Sequence, residues 1–269
     1  MKGVFMRVSV LMGIYNCEST LPIALDSLLE QTFSDWKCIM CDDGSTDNTY
    51  LVAKKYVDKY PRHFYLIKNN INQGLNATLN KCLSFADTEY IARMDGDDIS
   101  LPLRFEKEVS FLDEHKEYDI VSTPMILFDK QGDFKIGIAI NEPTVKQVVC
   151  DSVICHAPCM IRTKAIKSIG GYSTKKTTAR VEDVDLWIRL YANGSKCYNL
   201  SEPLYKMLDD RNAVSRRKFK YRVNSTKTRI SGCKIFNLDL ICYLKCFSPI
   251  IIGLLPKPVY IFLHRKNKR

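Results

Sequence analysis

The sequence has little histidine, and this shortage narrows the kinds of metal site it can encode. Only four of its 269 residues are histidine, and His63, His115 and His264 stand isolated from other potential ligands. Cys38 and Cys41 form a C-x-x-C, but no second Cys/His pair stands at ligand spacing. A structural zinc site needs four such ligands, so the pattern argues against one.

A disulfide framework is also missing. The eleven cysteines are odd in number and irregularly spaced. Residues 36–42 have the composition of a buried strand, in which alternate side chains point to opposite faces. We therefore expect Cys38 and Cys41 to be free core thiols in a reducing cytosol.

Residues 1–15 hold two basic residues and an apolar run but lack a small-residue cleavage site. We expect a first strand there rather than a signal peptide. Internal repeats and low-complexity segments are lacking as well. The content of 46% hydrophobic and 26% charged residues is ordinary for a folded soluble protein.

Acidic residues are almost absent from the end of the chain. Residues 211–269 contain 15 Lys and Arg against the single acid Asp239, a net charge of +14, whereas residues 1–210 carry 25 bases and 29 acids, a net charge of −4. Such a basic segment favours an anionic partner. The apolar stretch 247–264 is interrupted by Pro249, Pro256, Lys257 and Pro258, so we do not expect it to span a bilayer.

Strand and helix patterns alternate through the first third of the chain. Strands are predicted at 7–12, 37–41, 64–67 and 89–94, with helices from Ser19 or Thr20 to Gln31, at 47–60 and at 74–85. Further on we expect strands over 119–140, a helix at 143–150, a strand at 157–161 and a helix at 182–192. This alternation predicts an α/β fold with a mostly parallel sheet flanked by helices, whose ligands bind beyond the carboxyl ends of the strands.

Three acidic clusters fall at these strand ends or helix starts. They are Asp42-Asp-Gly-Ser-Thr-Asp47, Asp95-Gly-Asp-Asp98 and Glu182-Asp-Val-Asp185. Taken singly, they could be a capped loop, a solvated turn and acids placed favourably at a helix N-terminus. Taken together, carboxylates at one sheet edge repel one another unless a cation shares the site. Mg²⁺ and Mn²⁺ bind such oxygens together with substrate phosphates, so the clusters predict a metal-bridged phosphate site.

These segments resemble family 2 glycosyltransferases of the GT-A (Rossmann-like) fold. The resemblance covers about residues 5–207, and the motifs that carry it are, in order, Val8–Asn16, Asp42–Asp47, Asn72-Gln-Gly-Leu75, Ala92–Asp98, His156–Arg162, Gly170-Gly-Tyr172 and Glu182–Arg189. Each motif alone is weak, and the ordered set is specific.

The resemblance implies a role for each acidic cluster. Tyr15 would pack on the nucleotide base, and Asp42 or Asp43 would accept the base N3–H. Asp95 would lie beside the ribose and the metal, and Asp97 would bind Mn²⁺ or Mg²⁺. Asp183 would be the general base that takes the proton of the acceptor hydroxyl. Supporting roles fall to Asn72, Gly74, Arg93, Asp98 and Glu182.

One position departs from the family pattern. Leu208, in Tyr205-Lys-Met-Leu208, stands where many members carry a histidine that assists the metal or diphosphate. Lys206 and Arg211 could supply phosphate charge instead. His156 and Trp187 are expected to pack in the core, with the acceptor cleft and a sugar platform as their respective alternatives.

We therefore expect an inverting enzyme that moves a sugar from a nucleotide-diphosphate donor, with UDP favoured, to a lipid-linked saccharide in O-antigen, capsule or exopolysaccharide synthesis. The alternative is an inactive nucleotide-sugar-binding scaffold of the same fold. Residues 1–210 would form the catalytic domain. Residues 211–269 would bind the anionic inner face of the cell membrane from the cytoplasm, with a packed helical cap or nucleic-acid binding as alternatives.

Overall fold

The protein is described from a computed structural model that covers residues 6–209 and 218–254. The first part of the chain alternates strands and helices as predicted, with bounds that differ by one or two residues. The elements are β1 (Val8–Ile14), α1 (Leu21–Leu29), β2 (Trp36–Asp42), α2 (Thr49–Lys59), β3 (Phe64–Lys68), α3 (Leu75–Ser84) and β4 (Tyr90–Arg93).

The rest of the described chain mixes short strands with helices. These elements are β5 (Ile99–Ser100), α4 (Arg104–Glu114), β6 (Ile120–Ser122), β7 (Met125–Asp129), β8 (Gly132–Ile136), α5 (Val145–Asp151), β9 (Met160–Arg162), α6 (Thr163–Ser168), α7 (Glu182–Ala192), β10 (Cys197–Asn199), β11 (Tyr205–Leu208), α8 (Phe219–Ile235), α9 (Leu240–Lys245) and α10 (Ser248–Leu254). A short 3-10 turn, Lys176–Thr178, precedes α7.

The central sheet has seven strands in the order β10-β6-β9-β4-β1-β2-β3. All strands run parallel except β9, which pairs antiparallel with both β4 and β6. The predicted mostly parallel α/β sheet is therefore confirmed. Since β1, β2, β3 and β4 point the same way, the loops that follow them meet at one edge.

A second sheet has four strands in the order β5-β11-β7-β8, and these strands come from segments between and after those of the central sheet. Its β7–β8 hairpin closes where Asp129 pairs with Gly132, at the turn that the sequence predicts. Its pair β5–β11 joins Ser100 to Tyr205, which places β11 beside the loop that follows β4. This sheet thus supports one side of the acidic loop.

Two parts of the sequence prediction need correction. The strand expected at 157–161 begins only at Met160, because residues 157–158 form a turn, and it runs against its neighbours. Helix α4 and strand β10 were not predicted. The apolar stripe of α4 is hidden in the sequence because Arg104 and Glu108, which are fully buried and paired at 3.2 Å, occupy core positions.

The helices near the end of the described chain pack on the body of the protein. Val149 of α5 and Ile188 of α7 form a buried cluster with Cys233, Cys242 and Cys246. Gly232 lies at the crossing, where an added Cβ would come within 2.7 Å of Ile188 Cδ1. The part of the basic segment that the structure describes therefore packs on the body as a helical layer, so the division at residue 210 is a difference in charge.

The cysteine predictions can be checked directly. All eleven cysteines are free, and Cys38 and Cys41 belong to core clusters on opposite faces of the sheet.

None of the helices within residues 6–209 and 218–254 has the length and apolar character that crossing a membrane requires. Arg211, His264 and the final basic cluster lie outside the described residues.

Candidate active site

A cleft of about 830 Å³ opens at the carboxyl edge of the parallel strands. It brings together seven of the residues predicted for the site: Tyr15, Asp43, Asn72, Gly74, Asp95, Asp97 and Glu182. They come from the loops after β1, β2, β3 and β4 and from the first turn of α7. The sheet topology thus explains why residues up to 167 positions apart in the chain share one cavity.

Asp43 is fixed at one end of the cleft by neutral donors. Its Oδ1 accepts the Asn69 side-chain amide at 2.8 Å and the Gln73 backbone N–H at 2.9 Å, and its Oδ2 accepts the Gly74 N–H at 2.9 Å. A carboxylate has about four acceptor positions, so these three bonds leave one on Oδ2. Asp43 is only 4% exposed, but it lines the cleft. The loop can approach this closely because Gly44, at φ +74°, has no side chain to meet Ile71.

Asp42 has a different environment from its neighbour. It is completely buried at the end of β2, and it is not among the residues that line the cleft. Its Oδ1 faces the Ser45 N–H at 3.4 Å, and its Oδ2 has no hydrogen-bond partner among the described residues. Of the two carboxylates proposed for the nucleotide base, Asp43 is therefore the one that a ligand in the cleft can contact.

The acidic loop after β4 is held from both sides. Arg93 is nearly buried and pairs with both carboxylate oxygens of Asp95. Asp98 is buried and accepts the Tyr205 hydroxyl and the Leu208 backbone N–H, each at 2.9 Å. The same Tyr205 oxygen accepts the Asp95 N–H at 3.2 Å. Leu208, at the position of the family histidine, thus contributes its backbone to this loop.

The three carboxylates of the loop are close enough to share one cation. One oxygen from each of Asp95, Asp97 and Asp98 lies within 4.8 Å of the others. Burial, followed by the charges of Asp95 and Asp97, raises the pKa of Asp98 well above its usual range. A hard divalent cation would relieve this repulsion, and an all-oxygen set with the exposed Asp97 at its open side fits Mg²⁺ or Mn²⁺.

Across the cleft, the first turn of α7 presents two neighbouring acids. Glu182 lines the cavity, whereas Asp183 is half-buried beside it and accepts the Val184 N–H at 2.8 Å. Burial raises the pKa of both carboxyls. A carboxylate with a raised pKa is a stronger proton acceptor near neutral pH, as a general base must be.

Comparison with known proteins identifies the family of the chain. The family model described as glycosyl transferase family 2 matches residues 9–169. Over 261 residues the chain is 40% identical to EpsE of Bacillus subtilis (strain 168), and the match covers 97% of this chain and 94% of EpsE. The chain belongs to glycosyl transferase family 2.

A second relative of this family 2 glycosyltransferase acts on a lipid-linked sugar. It is the Escherichia coli UDP-Glc:alpha-D-GlcNAc-diphosphoundecaprenol beta-1,3-glucosyltransferase WfaP, 29% identical over 219 residues, which cover 79% of this chain and 81% of WfaP. Other relatives are named as glycosyltransferases of amylovoran biosynthesis and of O-antigen biosynthesis.

The fold of the glycosyltransferase is GT-A, as the sequence predicts. A solved structure with the same fold is the mannosyltransferase PcManGT from Pyrobaculum calidifontis, in complex with GDP-Man and Mn²⁺. The TM-score is 0.65 at 13% identity, over 97% of this chain and 79% of PcManGT. At this identity the likeness speaks for the fold alone.

The aromatic residues under the enzyme's cleft belong to its core. Trp187 is buried, so its side chain packs in the core and is not exposed as a platform for a sugar. His156 contacts the Tyr172 hydroxyl at 3.0 Å and packs edge-on against Trp187. Burial and the nearby Arg93 charge lower the pKa of His156 well below its usual range, so the ring is neutral.

Sequence reasoning missed the basic residues and the tyrosine that line the glycosyltransferase cleft. These are Lys175, Lys176, Arg180 and Tyr221. Lys206, which was considered for the phosphates, instead pairs with Asp133 at 2.7 Å. No local motif marks the four cleft residues. They reach the cavity because Asn224 of α8 donates to the Ala179 and Lys176 carbonyls at 3.2 and 3.3 Å, which ties that loop to α8.

Proposed function

We propose that this enzyme transfers a sugar from a UDP-sugar to a hydroxyl of a lipid-linked saccharide, with inversion at the anomeric carbon, in the synthesis of a surface polysaccharide. The observation that carries the proposal is the cleft itself. One cavity contains Asp43 at one end, the loop with Asp95 and Asp97, and the Glu182 carboxyl, whose pKa is raised by burial.

The Asp43 end suits the nucleotide base. Tyr15 is half exposed at the cavity wall, where its ring can stack on a base. The open acceptor position on Asp43 Oδ2 suits the N3–H of uracil, because an ionised carboxylate only accepts hydrogen bonds. The UDP donor named for WfaP supports this choice of nucleotide.

The acidic loop suits the diphosphate with a divalent cation. Asp95 and Asp97 would hold Mn²⁺ or Mg²⁺, and Asp98 would support the loop from below. When bound, the cation offsets the charge that develops on the departing nucleotide diphosphate. The Mn²⁺ named in the PcManGT complex supports this assignment. Lys175, Lys176 and Arg180 would add positive charge along the same cavity.

The acidic turn of α7 suits the acceptor hydroxyl. Asp183 would take the hydroxyl proton as the acceptor oxygen attacks the anomeric carbon from the side opposite the diphosphate. A single in-line displacement of this kind inverts the configuration. Glu182, which lines the cleft, would orient the acceptor beside it.

The proposed acceptor would reside at the inner face of the cell membrane. The lipid-linked acceptor in the name of WfaP supports this location. The net charge of +14 over residues 211–269 supports it as well, because the cytoplasmic leaflet carries anionic lipids.

The test is a thermal-shift and UDP-release screen of nucleotide sugars with and without Mn²⁺. We expect UDP-sugars to stabilise the protein only when Mn²⁺ is present, and EDTA to abolish UDP release. Asp97→Ala should remove both effects while the fold is retained. Asp133→Ala, which removes an acid outside the cleft, is the matched control and should behave like the wild type. Full activity of Asp97→Ala, or in excess EDTA, would contradict the metal assignment.

A further inference from the structure

Helix α9 and its continuation present an apolar surface to solvent. Leu240, Leu244 and Leu254 are 73%, 64% and 71% exposed, and Ile251 is 59% exposed. The full set, called here the apolar face, is Leu240, Ile241, Leu244, Phe247, Ile251, Ile252 and Leu254. An outward helix surface is ordinarily polar, so large apolar side chains grouped in this way mark a site of interaction.

The spacing shows that these residues form a surface of their own. Leu240, Leu244 and Phe247 recur at helical intervals along α9 and its end, while Cys242 and Cys246 between them face inward and are completely buried. The inner side of α9 is therefore already buried against α5, α7 and α8. Within the described residues, the outer side is covered by nothing comparable.

Basic side chains flank the apolar face. Lys245 lies next to Leu244; its side chain is half exposed and lies 3.7 Å from the Asp151 carboxylate. The first turn of α8 packs against α10, since a Cβ on Gly253 would meet Phe219 at 3.2 Å, and Phe219 is flanked by exposed Lys218 and Lys220. The sequence after Leu254 adds five Lys and Arg and no acid.

We infer that the apolar face of α9 and α10 is the surface by which this glycosyltransferase docks on a bilayer containing anionic lipid. Apolar side chains that enter the headgroup region, with Lys and Arg beside them, are the pattern of an interfacial helix. The charge selects this occupant, because a second copy of the chain would bring the same +14 segment against itself. The inference rests on the proposed lipid-linked acceptor.

Contacts of helix α8 link the apolar face to the cleft. Tyr221, in the first turn of α8, lines the cavity, and Arg222 beside it donates to the Pro249 carbonyl of α10 at 3.3 Å. Asn224, one turn further, holds the loop that lines the cavity. Docking through α9 and α10 would therefore bring the α8 side of the cleft to the membrane surface, where a lipid-linked acceptor is held.

The experiment is vesicle flotation of the full-length protein without substrates. We compare vesicles of phosphatidylcholine alone with vesicles containing phosphatidylglycerol. The test variant is Leu244→Glu/Ile251→Glu, and the matched control is Ile23→Glu/Ile138→Glu, which changes exposed isoleucines of α1 and of the loop after β8. We expect the wild type and the control to float with phosphatidylglycerol vesicles. The test variant should partition on the order of a hundredfold less, since each buried Leu or Ile contributes roughly tenfold.

Salt and oligomeric state separate the outcomes. High salt should weaken flotation but not abolish it, because the apolar contribution is not screened. Equal flotation of the test variant and the wild type would overturn the inference. A wild-type dimer that becomes monomeric in the test variant would also overturn it, since the occupant would then be a second copy. Donor-dependent UDP release in solution is measured separately for both variants. Loss of UDP release would count against the proposed function, whereas loss of docking alone would leave UDP release unchanged.

Discussion

Glu182 and Asp183 are neighbours with the same charge but different access to the cleft. Glu182 lines the cavity. Asp183 lies beside it, and its carboxylate accepts a hydrogen bond from the Val184 N–H. If Asp183 is the base, Asp183→Asn should retain donor binding and lose transfer by roughly 10²–10⁴. The matched Glu182→Gln should raise the acceptor KM with a smaller loss of kcat. Both are measured by steady-state transfer with a saturating donor.

The opposite pattern would reassign the two residues. A loss of transfer confined to Glu182→Gln would make the residue that lines the cleft the base. If Asp183→Asn loses donor affinity but transfers the sugar at the normal kcat, Asp183 is not the catalytic base.

The pH dependence of transfer follows from the same carboxyls. Burial raises the pKa of Asp183 and of Glu182, and the base acts only when ionised. The transfer rate should therefore rise with pH through the raised pKa and fall as the pH drops below it. The acidic limb of kcat/KM should lie above the value of about 4 of an unperturbed carboxyl. A flat profile down to pH 4, in protein that circular dichroism shows to be folded, would contradict this assignment.

The acids of the cleft could be predicted because each follows a strand or opens a helix in the local sequence. Asp95 and Asp97 are adjacent to a recognisable buried strand, and parallel strands bring such ends together. Tyr221 and Lys175 could not be found in this way. They reach the cleft through the packing of α8 on α7 and on the loop before it, a contact between distant segments that no local pattern encodes.

At the scale of elements, α3 has a clean apolar stripe and was predicted, whereas α4 has buried charge and was not. Leu79 and Leu83 of α3 lie buried at the spacing that the sequence shows. In α4 the buried Arg104 donates to the Arg93 and Cys159 carbonyls, so a charged residue occupies a core position. The direction of β9 was also out of reach, since strand orientation depends on the path of the chain rather than on local composition.

The crossing of α8 over α5 and α7 depends on a glycine. A side chain at Gly232 would meet Ile188 at 2.7 Å and Val149 at 3.1 Å. Gly232→Leu should therefore destabilise the protein by roughly 1–3 kcal/mol, the usual cost of overpacking, although leucine is a good helix former. The matched Lys234→Leu, at an exposed position of the same helix, should stay within about 0.5 kcal/mol of the wild type. Denaturant unfolding measures both, and equal stability of the two variants would mean that α8 does not pack closely here.

At the scale of the whole molecule, charge and packing divide the chain differently. The basic segment begins near residue 211, yet α8 contributes Tyr221 to the cleft and Cys233 to a core shared with Val149 and Val184. Arg229 of α8 also donates to the Val149 carbonyl at 2.5 Å. The packing thus makes residues 218–246 part of the catalytic body, and it leaves the apolar face as the part directed outward.

This organisation predicts that a chain ending at Asp210 is not an independent catalytic domain. Removing α8 would expose Val149, Val184 and Ile188, and each such side chain contributes about 1.5–3 kcal/mol when buried. We expect this chain to melt at a lower temperature or to aggregate, and to lose sugar transfer because the Tyr221 wall of the cleft is gone. A chain ending at Leu254 retains α8, α9 and α10 and should melt like the full-length protein. Differential scanning calorimetry with UDP release compares the three chains. If the chain ending at Asp210 melts cooperatively at the full-length temperature and releases UDP normally, the division at residue 210 separates two domains in structure as well as in charge.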